Sequence, residues 1–114
     1  MIKRSHIARL RDIVESIDAI EDMMDGASFA TYQSSFQLRK AVERCLEIIS
    51  EASRSVPVEM KEQYPAIPWR AIADIGNLLR HDYQRVDDFV VWSAATRSLG
   101  DLRVSVAALL SNER

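Results

Sequence analysis

All three prolines of this 114-residue chain lie at positions 57, 65 and 68, and its three glycines stand singly at 26, 76 and 100. Proline breaks helices and glycine weakens them. The distribution therefore predicts long helices with one interruption. Apolar residues recur at helical spacing through Ile7, Leu10, Ile13, Val14, Ile17, Ile20 and Met24, with Gly26 as a stop just beyond. Glu15, Asp18, Asp22 and Asp25 lie opposite and read as a solvated face.

A second segment opens near Ser28 and carries Phe29, Tyr32, Phe36, Val42, Cys45, Leu46, Ile49 and Ala52. Arg39–Glu43, Arg44–Glu47 and Glu51–Arg54 have the spacing that supports an exposed helix face. Pro57 opens a short helix (PVEMKEQY) that ends before Pro65, and Pro68 leads a further helix into Trp69, Ile72, Ile75 and Leu79. A last helix starts after Asp87 or Asp88 and presents Phe89, Trp92, Leu99, Leu102, Val106, Leu109 and Leu110, with Gly100 weakening its middle. There is no strand alternation and no internal repeat. The expectation is one all-α domain over residues 1–114, an antiparallel bundle of four long helices plus a short one. The last helix is apolar on more than one side, through Val90, Val91, Ala94, Ala95, Val104, Val106, Ala107 and Ala108. Such excess apolar surface suits an oligomer contact, most often a two-fold dimer.

Charge narrows the chemistry. Fifteen basic residues, twelve of them Arg, face seventeen acidic ones, for a net charge of −2. A chain so balanced does not coat nucleic acid through bulk charge; a polyanion would have to be met by placed arginines. The single Cys excludes an intramolecular disulfide and suits a reducing cytoplasm, and Cys45 falls within the apolar series, as a small core residue would. No apolar run approaches the roughly 18 residues of a membrane helix, and the opening MIKRSHIARLRD lacks the apolar segment of a signal peptide. A cytoplasmic location without membrane contact is expected. Two His and one Cys cannot make a Cys/His zinc site, and neither His6 nor His81 follows a Glu by three residues. With no glycine-rich phosphate loop and no G-x-S-x-G setting, neither metal nor cofactor is expected.

One polar cluster stands out in RAIADIGNLLRHDYQR at 70–85. On a helix Arg70, Asp74, Asn77 and His81 share a face; Asp82 and Tyr83 follow, and Arg80 and Arg85 flank them. The cluster suits an outer face ending in a cation near a helix C-terminus. That reading comes first on composition alone; the second is a phosphodiester site, where Arg offers a planar fork, His moves a proton near neutrality, and Asn and Tyr position oxygens.

The stretch AIPWRAIADIGNLLRHDYQRVD resembles the signature of the HEPN superfamily in its HepT-like branch, with a Pro-Trp-Arg opening and a motif of Arg, four residues, His, one residue, Tyr. AVERCLEIISEA at 41–52 and VDDFVVW at 86–92 resemble that branch's second and last helices, so the likeness covers nearly the whole chain. It implies a bundle that dimerises with the motif helices facing each other across a cleft. It also implies a metal-independent endoribonuclease in which the ribose 2′-hydroxyl attacks the adjacent phosphate. HepT-like members are toxins encoded beside a minimal nucleotidyltransferase antitoxin that binds them and, in some cases, adenylates the motif Tyr. The resemblance makes His81 the acid/base, Asn77 the polar residue four before it and Tyr83 the adenylation target. Arg70 and Arg85 are candidates for RNA phosphate. The family Arg, five residues before His81, is here Gly76, so Arg80 or Arg70 is the candidate substitute. If Gly76 is a degenerate motif position, arginine there should raise activity, and the alternative is a HEPN binding module that partners a nucleotidyltransferase without cleaving. Glycine also leaves a gap that a ligand or partner helix could approach.

Overall fold

A computed structural model describes residues 4–81, 84, 86–97 and 99–112 of the chain. Helix α1 spans Arg4–Met24 and ends at Gly26, whose φ of +72° is the left-handed conformation glycine adopts without steric cost. The segment expected to run unbroken from Ser28 is divided. Helix α2 covers Phe29–Ser34 and α3 covers Phe36–Arg54. Ser35 between them is extended, its N–H donates to the Tyr32 carbonyl, and its Oγ accepts the Leu38 N–H. A serine that bonds the backbone in this way competes with helix continuation and caps a new start.

Pro57 precedes a short α4, Val58–Lys61, which stops earlier than the proline spacing suggests. Pro68 directly precedes α5, Trp69–His81, and the Trp69 indole N–H holds the preceding loop through the Tyr64 carbonyl at 3.2 Å. The last helix is described as two stretches, α6 Asp88–Arg97 and α7 Leu99–Ser111, on either side of Ser98, which lies outside the described residues. Asp87 Oδ1 starts α6 by accepting the Phe89 N–H at 2.7 Å. Among the described residues there is no strand, so the all-α expectation holds.

Helix α3 packs between α1 and α5, and α7 lies along α1. Leu10, Ile13, Ile17 and Ile20 of α1 meet Val42, Leu46 and Ile49 of α3 and Leu102, Val106 and Leu109 of α7 in one continuous core. Cys45 packs against that core, and burial pushes its thiol up, away from reactive thiolate chemistry. Val91, Ala95 and Val106 turn inward while Val90 and Val104 stay exposed, so the apolar excess of the last helical segment is only partly absorbed.

The acidic face of α1 is not wholly solvated. Asp18 accepts two hydrogen bonds from Arg103 of α7, at 2.6 and 3.1 Å, which ties the antiparallel α1–α7 pair across 85 residues of sequence. The Arg103 hydrogen bond holds the Asp18 carboxyl below its ordinary range, against a smaller desolvation effect. A depressed carboxylate stabilises the fold fully above its unfolded value, about 3.9, and loses that contribution as pH falls through the lower folded value. Denaturant titrations should therefore find Asp18→Asn less stable than wild type at pH 7, with the gap closing in strong acid. An equal gap at both extremes would mean that the charge is not what Asp18 contributes.

Among the described residues no helix is long and apolar enough to cross a membrane, and no group of three His, Cys, Asp or Glu is placed to hold a metal ion.

Candidate active site

The site rests on how α5 is held against α3. Ser50 Oγ donates to the Ala73 carbonyl at 2.9 Å, and Arg54 Nη2 reaches the same carbonyl at 3.2 Å. Arg54 of α3 meets Ala73 of α5 while Glu51 reaches Arg80, so higher positions on α3 meet lower positions on α5 and the two helices run antiparallel. Gly76 is buried at the closest approach. A Cβ built there would lie 2.1 Å from Ser50 Oγ and 2.4 Å from Ser50 Cβ. The gap left by the missing side chain is therefore filled by α3 of the same chain, and position 76 points into the helix interface.

Helix α5 presents Asn77, Arg80 and His81 on its exposed side near the C-terminal end. Arg80 Nη1 donates to Glu51 Oε2 of α3 at 2.8 Å, and Arg80 Nη2 donates to Asn77 Oδ1 at 3.0 Å. A guanidinium carries five N–H donors, so two acceptors fix its plane while others remain for an oxyanion. This joins Arg80 and Asn77 beside His81. His81 is exposed and makes no hydrogen bond or ion pair among the described residues. Its imidazole is thus left open to a substrate at the end of the helix.

Arg70 is on the same face but not at the same place. It sits eleven residues before His81, about 16 Å along the axis, and is 94% exposed in a 3.8 Å pair with Asp74. Tyr83 and Arg85 lie outside the described residues. Tyr32, by contrast, is fully buried, and burial pushes its phenol up, so its hydroxyl is closed to modification.

Glu51 is the site residue that spacing alone did not find. Its sequence neighbour Arg54, three positions on, was the natural helical partner. Both side chains instead cross to α5, Glu51 to Arg80 and Arg54 to Ala73. No local pattern signals a partner 29 residues away.

Comparison with known proteins is consistent with this geometry. The family model described as "Ribonuclease HepT-like" matches residues 6–109. A relative from Thermococcus cleftensis named "Probable ribonuclease HepT" is 37% identical over 102 residues, covering 90% of this chain and 93% of that protein. "Putative RNase MJ1216" of Methanocaldococcus jannaschii is 33% identical over 103 residues, covering 90% and 85%. "Putative RNase TTE0752" of Caldanaerobacter subterraneus is 29% identical over 105 residues, covering 92% and 94%. No solved structure matches. A match over nearly the full chain, on an all-helical fold, places the chain in the HepT-like ribonuclease family.

Proposed function

We propose that the protein is an endoribonuclease toxin that cleaves RNA without a metal, using His81 for proton transfer and Arg80 for phosphate. One observation carries this reading: the Arg80 guanidinium is held by Asn77 and Glu51 directly beside an open His81. Arg80 thereby offers the fork that position 76 lacks. Neutral His81 takes the proton of a ribose 2′-hydroxyl as the oxygen bonds to the adjacent phosphorus. The bond from phosphorus to the 5′ oxygen breaks, and that oxygen receives a proton from an imidazolium. Arg80 and Asn77 meet the charge that builds on the phosphoryl oxygens. The products are a 2′,3′-cyclic phosphate and a 5′-hydroxyl. Purified protein should cleave an oligoribonucleotide in EDTA to those ends and leave its 2′-O-methyl counterpart intact. Absence of cleavage would favour the binding-module reading.

The two proton transfers call for two acid/base groups, and since the site holds one histidine, His81, a symmetric pair of chains would supply both. An open apolar groove of about 340 Å³ between α5 and α6, with Leu78 and Val90 exposed at its edge, supports a second copy docking there. Leu78 lies three residues before His81 on the same side of α5, so a two-fold contact through this groove would place the two His81 residues near the seam. The proposed second partner is a nucleotidyltransferase antitoxin that adenylates Tyr83. Sedimentation of wild type and Val90→Asp should show a dimer lost in the variant. Intact mass after incubation with ATP and the cognate transferase should rise by one adenylate, and Tyr83→Phe should abolish that rise.

A further inference from the structure

An exposed aromatic residue is ordinary when it stands alone. Phe36, 64% exposed at the start of α3, does not. The Lys40 ammonium lies 5.4 Å and the Arg39 guanidinium 5.8 Å from its ring centroid, within the roughly 6 Å of a cation–π contact. Phe36 is also aligned with the site. At about 100° per residue, positions 36, 40, 44, 47 and 51 fall within an arc of about 80° on α3. Phe36, Lys40 and Arg44 thus share a stripe with Glu51, the residue that holds Arg80.

The antiparallel register gives the distance. Gly76 is opposite Ser50, so His81 is level with about residue 45, and Phe36 lies roughly 13 Å further along α3. At the ~3.4 Å rise of a stacked strand, that is a span of a few nucleotides. On the way, Arg44 is exposed and meets Glu47 at 3.8 Å in a surface pair that contributes little to stability and can give way to phosphate, and Lys40 meets the less exposed Glu43 at 3.2 Å.

Resting on the ribonuclease reading above, we infer that the Phe36–Lys40–Arg44 stripe of α3 is a docking track for single-stranded RNA. Phe36 stacks on a base a few nucleotides from the cleaved bond, and Lys40 and Arg44 meet the intervening phosphates. Sequence-tolerant binding of single strands combines these two elements, a stacking ring and a basic path. An acidic or apolar protein surface could also meet this stripe, and the test separates the two.

The readout is equilibrium binding of a fluorescent twelve-nucleotide 2′-O-methyl RNA to the full chain, which needs no cleavage. Phe36→Ala should weaken binding about tenfold, as the loss of one base–aromatic stack does. Phe36→Leu, apolar without a π-face, should weaken it similarly, and Phe36→Trp should restore it. Arg44→Gln should reduce the salt dependence by about one phosphate contact. Wild-type binding to Phe36→Leu would overturn the track, as would no RNA binding by wild type or a change of oligomeric state in Phe36→Ala. Cleavage by wild type with no effect of Phe36 would remove the track alone. Phe36-dependent binding without cleavage would remove the ribonuclease reading and leave the track.

Discussion

Gly76→Ala is expected to destabilise the protein by about 1–3 kcal/mol, the range for an overpacked interior, and to lower its thermal midpoint by roughly 5–15 °C. The sign is the informative part. In an unhindered helix the same change stabilises by about 1 kcal/mol, because alanine has the better helix propensity. Gly100 of α7 is such a position, with no packing neighbour beyond its own stretch of helix within 4 Å of a built Cβ, so Gly100→Ala should raise the midpoint. At Gly76 the new methyl meets Ser50 Cβ at 2.4 Å, and no rotation of Ser50 moves its Cβ. Helices α3 and α5 must then separate, which stretches the Ser50–Ala73 hydrogen bond. In a Ser50→Gly background both obstructing atoms are gone and the penalty of Gly76→Ala should vanish, a coupling that a double-mutant cycle measures. A stabilising Gly76→Ala in the wild-type background would contradict the close approach. By the same clash, Gly76→Arg should disturb the α3–α5 contact and lower activity, where a merely degenerate motif position would have raised it.

His81→Ala should reduce RNA cleavage by about 10²–10⁴-fold, the contribution of a positioned proton-transfer group. Its effect on stability should stay within about 0.5 kcal/mol, since an exposed residue with no partner among the described residues removes little when truncated. The pairing of a large rate loss with unchanged unfolding distinguishes a catalytic residue from a structural one. Cleavage ends in EDTA, followed by gel or mass analysis, supply the rate; a thermal melt supplies the control. Activity that survives His81→Ala would sink the assigned mechanism.

Much of the fold was legible in the chain because helical spacing and breakers are local. The Ile7–Met24 periodicity, the stop at Gly26 and the start after Pro68 needed no distant partner. The division at Ser35 was less visible: serine is tolerated within helices, and only its hydrogen bond to Leu38 shows it acting as a cap. Of the candidate site, spacing on one helix put Asn77 and His81 on a shared face with Arg80 flanking, but their roles came from the family resemblance, and spacing did not choose Arg80 over Arg70. The partner of Arg80 could not be read from spacing.

The sequence by itself determined an all-helical chain with one arginine-flanked His motif, because those properties depend on residue order within a single helix. The tertiary structure decided which arginine is held beside His81 and what lies against Gly76. Both answers depend on α3 crossing α5 antiparallel: the crossing buries position 76 against Ser50 and brings Glu51 to Arg80. Side chains 26 to 29 positions apart meet only when two helices pack, and no periodicity within either helix encodes that meeting.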